Sequence, residues 1–430
     1  MMLSTQTINA GDVPLAPDGS QSADIGARDL LATVLLYAPL IATTIFSKVA
    51  ISSLSSAFTV AIPILIAIPM AGLLLGRMRF DPGRLSLYLI VVALLWAMQI
   101  FSGESFSMNS MLLMTTLFFT MTVYVPATSP HADKALLFFL NLATLLALCG
   151  IAQFFLQFVI GSRLAFPIEH FLPKSILIQH YNYLNPLSYG VNTYKANGIF
   201  LLEPSQFSQL LAVAIVAELM TLNRSWRLIS FAVAMIVAYS GTGLMILAVC
   251  MPIIVISKRR WALFFVAIVA LVVLGLFAES LNLDIFINRA GEFGSTKSSA
   301  FGRFIGGFYA FDDWLWPEWR RAFFGYGAGS YADASGKFVL TASEMPLNKI
   351  VFEFGLVGAC ALFGFFIFCM AKGSGPAVFR LAVGLSFFLN ALYTPTAQGI
   401  ALSVILWNCA YGSAKRSEVR PSPGVARLCA

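Results

Sequence analysis

The hydrophobic positions of this 430-residue chain lie in long, uninterrupted runs, and polar residues cluster between them. Most runs cover 17–26 residues, which lets a helix cross about 30 Å of hydrocarbon. The runs do not alternate between apolar and polar residues, as the strands of a transmembrane barrel would. Because helices satisfy their own backbone hydrogen bonds in lipid, the pattern predicts an all-α polytopic membrane protein.

Twelve transmembrane helices are predicted, and the basic residues between them indicate their direction. The predicted spans are residues 30–46, 51–75, 84–101, 108–126, 135–160, 203–222, 226–239, 241–257, 261–279, 346–371, 377–393 and 396–412. The basic residues of the short connectors, which all follow even-numbered spans, are Arg77, Arg79, Arg84, Arg224, Arg227, Lys258, Arg259, Arg260, Lys372 and Arg380. Since basic connectors stay in the cytoplasm, both termini are predicted to be cytoplasmic.

The remaining segments are two tails and two long external loops. Residues 1–28 are polar and lack a basic start followed by an apolar core, so they predict a disordered cytoplasmic tail rather than a signal peptide. Residues 413–430 are predicted to be a basic cytoplasmic tail, which leaves residues 29–412 as the transmembrane domain. The external loops cover about residues 161–202 and 280–345, and loops of this length are usually functional.

Composition agrees with a membrane protein and argues against several other classes. Charged residues make up 11% of the chain, against about 25% in a soluble domain, and the mean hydropathy is +0.82. The net charge of +7 comes largely from inner loops, so it reflects topology rather than nucleic-acid binding. The cysteines and histidines have neither disulfide nor metal-ligand spacing, and no nucleotide motif occurs, so no metal or cofactor is expected.

The second external loop combines arginines with aromatic residues. Its aromatic residues predict a helix on the outer membrane surface, because amphipathic rings favour that depth. Its arginines could bind phosphate through paired hydrogen bonds. The alternative is an interfacial anchor with solvated arginines, which applies most to Arg320 and Arg321 beside the tryptophans. The loop residues concerned are Arg303, Arg320, Arg321, Tyr309, Trp314, Trp316, Trp319, Tyr326 and Tyr331.

Acidic residues mark the edges of two apolar runs. Glu203 begins the sixth predicted span, after Lys195 and Gly198 of the first external loop, although an acid before a proline is also ordinary at the start of a helix. Glu344 precedes the tenth predicted span and Glu353 lies inside it. A charge at the bilayer centre costs roughly 2.5–3.5 kcal/mol. The sequence therefore predicts that Glu344 and Glu353 have a functional or structural role at the edge of this span.

Three stretches of the sequence, taken in order, resemble the signature blocks of a known family. They are KANGIFLLEPSQF (195–207), YSGTGLMIL (239–247), and GYGAGSY (325–331) followed by LNKIVFEFGLVG (347–358). Together they resemble the O-antigen ligase and polymerase superfamily, which includes Wzy-type repeat-unit polymerases. The resemblance covers roughly residues 190–360 and implies a fold like that of GT-C glycosyltransferases.

The resemblance also suggests roles for single residues. Lys195 stands where the family has an arginine that is proposed to hold a diphosphate, so the charge is kept and the guanidinium fork is lost. Residues 240–243 (SGTG) have glycine in place of an arginine. Arg303 resembles the arginine of the family's large loop. Glu344 occupies the position of the ligase histidine, which makes it the candidate general base, and Glu353 is expected to be a structural partner.

The function implied by the resemblance is polymerisation of oligosaccharide repeat units linked to undecaprenyl pyrophosphate, at the outer face of a bacterial inner membrane. Glu344 and Arg303 are the expected catalytic residues. The expected ligands of the diphosphate and glycan are Lys195, Glu203, Arg303, Arg320 and Arg321. A chain-length regulator and a flippase are candidate partners, and the product is expected to be an exopolysaccharide or a capsule.

Two alternatives stay open from the sequence. A ligase of the same family would transfer finished glycan, and the missing histidine counts against it. A non-catalytic flippase or transporter would concentrate its charges near the midplane and show an internal repeat. In this sequence no repeat is evident, and the charged residues cluster at the predicted outer edge.

Overall fold

A computed structural model describes residues 34, 37–51, 59–102, 105–125, 132–178, 183–187, 191–259, 261, 294–296, 298–373, 375–390, 400 and 402. Over these residues the chain is mostly helical. The sheet found in this part of the chain is small: β1 (Arg79–Phe80) pairs with β2 (Val123–Tyr124) in antiparallel register. The fold is therefore a helical bundle, in agreement with the predicted class.

The helices differ widely in length. The described helices, in chain order, are α1 (Ala61–Leu74), α2 (Pro82–Ser102), α3 (Met108–Phe119), α4 (Ala132–Ile160), α5 (Ser162–Ala165), α6 (Pro167–Phe171), α7 (Pro204–Met220), α8 (Ser225–Ala238), α9 (Gly241–Lys258), α10 (Ser299–Phe304), α11 (Gly306–Ala310), α12 (Trp319–Phe324), α13 (Ser330–Ser335), α14 (Pro346–Ala371) and α15 (Ala377–Phe388). A 3₁₀ turn at Thr120–Thr122 follows α3, and a π turn at Phe311–Leu315 follows α11.

Among the described residues, four helices are long and apolar enough to cross a membrane: Pro82–Ser102, Ala135–Ile160, Gly241–Lys258 and Pro346–Ala371. Four shorter apolar helices are α1, α7, α8 and α15. Together they indicate a membrane protein. The predicted spans at 261–279 and 396–412 lie almost wholly outside the described residues, so the total of twelve stays a prediction.

Several predicted boundaries differ from the structure, two of them by more than five residues. The second span was predicted from residue 51, but its helix begins at Ala61 because residues 49–50 form β-bridges with Leu177 and Thr59 instead. The fourth was predicted to reach residue 126, but α3 ends at Phe119 and the chain continues into the 3₁₀ turn and β2. Hydropathy alone cannot locate these ends, because short strands and turns can be as apolar as helices.

Helix α7 lies at the centre of the bundle. Nearly all of its residues are buried, and it packs against α4, α8, α9 and α15. Its closest neighbour is α9, where a Cβ at Gly243 would overlap the backbone of Ser208. A glycine is therefore required for the two helices to approach this closely.

Helix α14 is broken at Gly355, whose backbone (φ 63°, ψ −173°) is not helical. The carbonyls of Phe352 and Glu353 accept hydrogen bonds of 2.9 Å from the N–H groups of Tyr326 and Gly327, in the loop before α13. The loop thus pairs backbone groups beside the break, as a membrane-embedded interruption requires.

The segment predicted to be the second external loop folds, where it is described, into the short helices α10–α13 rather than one surface helix. Its aromatic residues divide between the core and the surface. Trp314, Tyr326 and Tyr331 pack around Phe352 of α14, whereas Trp319 is 70% exposed. Part of the aromatic content therefore fixes the loop on α14, and the rest is available to the membrane surface.

Candidate functional site

A cavity of about 450 Å³ lies where α7 and α9 begin, next to α10. All of its described walls come from three separate stretches of the chain. The first contributes Asn185, Lys195, Glu203, Pro204 and Ser205; the second Tyr239, Ser240, Gly241, Thr242, Leu244, Met245 and Ala248; the third Ser299, Ala300, Arg303 and Phe304. The first two, apart from Asn185 and Ala248, belong to the predicted signature blocks, and the third contains the predicted loop arginine. The fold thus brings Lys195, Glu203 and Arg303 to one site.

An ion pair joins two of these residues across the cavity. The Nη2 atom of Arg303 donates a 2.8 Å hydrogen bond to Oε2 of Glu203, and both side chains are 22% exposed. The hydroxyl of Ser205 donates to the same oxygen at 2.9 Å. Because each side chain is still partly accessible, a ligand that enters the cavity can reach both charges.

Backbone contacts fix the segment that carries Lys195. Its N–H donates to the carbonyl of Asn185 at 2.9 Å, and the N–H of Ala196 donates to the carbonyl of Val237 on α8 at 3.1 Å. Only 9% of Lys195 is exposed. Gln157 of α4 holds the preceding residue through its backbone N–H and carbonyl. These hydrogen bonds fix the backbone on both sides of Lys195, whose side chain lines the cavity.

Hydroxyl groups join the beginnings of α7 and α9. Helix α8 ends at Ala238, the next residue, Tyr239, has left-handed backbone (φ 45°, ψ 44°), and α9 begins at Gly241. The hydroxyl of Ser208 donates to the carbonyl of Ser240 at 3.1 Å and accepts from the N–H of Gly243 at 3.2 Å. The hydroxyl of Thr242 donates to the carbonyl of Ser205 at 3.1 Å. Two helix N-termini are thereby held beside the same cavity.

The arginine helix α10 is anchored on the first turn of α14. The side-chain amide of Asn348 is buried and donates to the carbonyls of Ser343 (3.1 Å) and Arg303 (3.5 Å). The N–H of Ser343 donates in turn to the carbonyl of Gly302 at 2.8 Å. Asn348 thus positions the backbone of Arg303, a role that was not apparent from the sequence.

The predicted base Glu344 is not among the residues that line the cavity. Its carboxylate lies 3.1 Å from Nζ of Lys349 and is 40% exposed. The same buried ammonium group lies 3.1 Å from Oε1 of Glu353, whose side chain is 1% exposed. The two carboxylates therefore share one lysine, and both compensate the charge of that buried ammonium group. The carboxylate beside Arg303 is Glu203.

Arg320 and Arg321 also lie outside the cavity lining. The Nε of Arg320 donates to the carbonyl of Phe101 at 3.0 Å. Arg321 pairs with Glu318 at 2.9 Å and lies over the ring of Tyr326, 4.5 Å from its centre. Each arginine therefore has a partner within the protein, and neither reaches the described cavity.

A buried polar network that was not apparent from the sequence holds the residues that follow Lys195. It contains Lys48, Gln153, Glu169 and Asn197, joined by side-chain hydrogen bonds. Two signals could have indicated it. Gln153 and Gln157 are polar residues one helical turn apart in an apolar run, and Lys48 is a basic residue that follows an odd-numbered predicted span.

The charges of the cavity favour an anionic ligand. Lys195 and Arg303 outnumber the single lining carboxylate, and the N-termini of α7 and α9 add partial positive charge. In the part of the chain that the structure describes, no three His, Cys, Asp or Glu side chains are close enough to hold a metal ion. The arrangement can bind phosphate groups and stabilise negative charge that develops on them.

No protein-family model, no curated protein and no solved structure matches this chain.

Proposed function

We propose that this protein is a polymerase that joins undecaprenyl-pyrophosphate-linked oligosaccharide repeat units into a surface or secreted polysaccharide. The observation that carries the proposal is the cavity in which two predicted signature blocks and the loop arginine meet. The resemblance supplies the substrate class, and the cavity supplies the charges that such a substrate needs. The proposed fold is GT-C-like with twelve spans.

The proposed reaction is glycosyl transfer. A hydroxyl group at the non-reducing end of one repeat unit attacks the anomeric carbon of the growing chain. The bond from that carbon to the pyrophosphate oxygen breaks, and undecaprenyl pyrophosphate leaves with the electron pair. Lys195 and Arg303 would stabilise the charge that develops on the leaving group, since both line the cavity.

The attacking hydroxyl group must also lose its proton to a base. The resemblance assigns this role to Glu344, which is paired with Lys349, whereas Glu203 is the carboxylate of the cavity itself. Separate replacement of each residue by glutamine distinguishes them. The base is the residue whose replacement stops polymer formation while the lipid-linked substrate still binds.

One wall of the cavity suits a lipid tail. Leu244, Met245 and Ala248 of α9 line it, and the side chains of Leu244 and Met245 are exposed. The polar and apolar sides of the cavity together fit an amphipathic substrate with a charged head and a hydrocarbon chain. We place the diphosphate at the cations and the first isoprene units along α9.

The proposed orientation puts the cavity on the outer face of a bacterial inner membrane. The cavity lies at the N-terminal ends of α7 and α9, and basic residues follow the C-terminal ends of the same helices at Arg224 and Lys258. The positive-inside rule assigns those basic ends to the cytoplasm. Both termini are cytoplasmic in this proposal.

The first test replaces the cavity arginine. Arg303→Ala should abolish polymer while the protein reaches the membrane at normal levels, because the leaving group loses its guanidinium partner. Arg320→Ala is the matched control, since that arginine lies outside the cavity lining and should leave polymer formation intact. Normal polymer from Arg303→Ala would remove this residue from the mechanism.

The reaction itself is tested by the glycan that accumulates on undecaprenyl pyrophosphate in cells that lack the protein, resolved by size and membrane face. Single repeat units on the outer face are expected for a polymerase. Long lipid-linked chains would show a ligase instead. Single units on the inner face would exclude both enzymes and indicate a flippase.

A further inference from the structure

A strained turn separates the two charged cavity residues of the first block. Gly198 (φ 69°) and Ile199 (φ 67°) both have left-handed backbone, and they lie between Lys195 and Glu203. Isoleucine is β-branched and rarely adopts positive φ, so this conformation is unfavourable unless its surroundings enforce it. Other parts of the protein must therefore hold this turn in place beside the cavity.

The buried polar network provides the enforcing contacts. The Nζ atom of Lys48 donates to the carbonyl of Ile199 and to Oε1 of Glu169. Oε1 of Gln153 accepts hydrogen bonds from the N–H groups of Asn197 (3.0 Å) and Ile199 (3.2 Å). Both polar backbone groups of the strained isoleucine are therefore held by side chains from other elements.

The network is charged as well as buried. The side chains of Lys48 and Glu169 are 1% and 3% exposed. Asn197 donates to Oε1 of Glu169 at 3.1 Å, but Oε2 is buried and has no hydrogen-bond partner among the described residues. An ammonium group beside this carboxylate is then the main compensation for its burial. Removal of either charge leaves the other one uncompensated.

Backbone hydrogen bonds with the predicted first external loop hold the segment that carries Lys48. Its carbonyl accepts a 3.1 Å hydrogen bond from the N–H of Ile178, and Ala50 donates to the carbonyl of Ile176 at 2.7 Å. Burial lowers the pKa of Lys48 to about 8, and the facing carboxylate of Glu169 opposes that shift.

From these contacts we propose that Lys48 and Glu169 are positioning residues of the cavity: their ion pair holds the strained turn at residues 198–199 and thereby sets the places of Lys195 and Glu203. The reaction that they serve rests on the proposed function. The positioning itself is a property of the fold, which can be measured without polymer formation.

The test measures hydrogen exchange in the full-length protein in detergent, over the peptide 194–203. Lys48→Met and Glu169→Gln should accelerate exchange there by about tenfold or more, because each leaves a buried charge unpaired. Lys48→Arg, which keeps the charge, should restore much of the protection. Arg227→Met is the matched control, since it breaks the buried pair with Glu218 at the opposite end of α8 and should leave this peptide unchanged.

A second measurement uses inorganic pyrophosphate as a probe of the cavity. Its affinity should fall about tenfold in Lys48→Met and stay unchanged in Arg227→Met. If the wild-type protein does not bind pyrophosphate, the proposed function loses support, and the exchange data still decide the positioning role.

The inference is overturned if exchange over 194–203 is unchanged in both Lys48→Met and Glu169→Gln. It is also overturned if Arg227→Met accelerates that exchange equally, since the effect would then be general destabilisation. Should Lys48→Met fail to fold, Glu169→Gln decides the matter, because it preserves side-chain volume.

Discussion

At the scale of single residues, the cavity is organised by the ion pair of Glu203 and Arg303. The carboxylate of Glu203 is hydrogen-bonded to the guanidinium group of Arg303, which the proposed mechanism assigns to the diphosphate. An incoming phosphate must therefore compete with Glu203 or add to it at a free N–H group of the arginine. Glutamate at this position keeps the arginine directed into the cavity but weakens the binding of any anion.

Glu203→Gln should consequently tighten the binding of inorganic pyrophosphate, by roughly two- to fivefold for a partly exposed pair. The amide keeps the shape of the side chain and removes its charge. Calorimetric titration of the purified protein measures the effect. Glu318→Gln serves as the control, because it removes a carboxylate paired with Arg321 outside the cavity. Weaker binding in Glu203→Gln would mean that the carboxylate acts by placing Arg303 rather than by competing with it.

The sequence was informative about some of these residues and silent about others. Lys195, Glu203 and Arg303 could be proposed because they lie in or near recognisable blocks, and the structure brings all three together. Glu344 was proposed from its spacing to the last block, but its pairing with Lys349 depends on side-chain packing. Lys48 could not be linked to Ile199 from sequence, because contacts between residues 151 positions apart are set by the tertiary fold.

At the scale of elements, the important departure from regularity is the break in α14. Gly355 has a positive φ, and a Cβ there would overlap the carbonyl of Phe323. Gly325, in the opposing loop, is equally close to the backbone of Glu353. The limits of this helix, residues 346–371, were predicted as they are found. Its interruption was not, because glycines in apolar runs usually serve close helix packing.

Gly355→Ala should destabilise the protein by about 1–3 kcal/mol from the backbone conformation alone, with a further cost from the overlap. The apparent midpoint of thermal unfolding in detergent measures this loss. Gly364→Ala is the control within the same helix, since an added Cβ there meets no atom within 4 Å. Equal midpoints for the two variants would contradict the requirement for a glycine at the break.

At the scale of the whole molecule, the cavity lies at one end of α7 and α9, and basic residues lie at their other end. The cavity, the arginine helix α10 and the first turn of α14 lie together, joined by Asn348. Basic residues follow the far ends of α7, α9 and α14, at Arg224, Lys258 and Lys372. The helical class could be predicted from hydropathy alone, since apolar runs determine it. The meeting of the two segments predicted to be external loops could not, because loop-to-loop contacts leave no periodic signal in the sequence.

The proposed orientation predicts the accessibility of two exposed lysines. In a variant without the native cysteines, Lys337→Cys should react with a membrane-impermeant thiol reagent in intact cells, because it belongs to the cavity end. Lys258→Cys, at the far end of α9, should react only after the cells are permeabilised. The reverse pattern would place the cavity in the cytoplasm and exclude polymerisation at the outer face.

The pairing of α14 with the loop before it also has a consequence for the order of biogenesis. The N–H groups of Tyr326 and Gly327 belong to chain that the ribosome makes before α14. In lipid, each unpaired carbonyl costs several kcal/mol, so the break is stable only once those donors have docked. We therefore expect α14 to enter the bilayer as a regular helix and to acquire its interruption afterwards. A nascent chain that ends just after residue 371 already contains every group that this rearrangement needs.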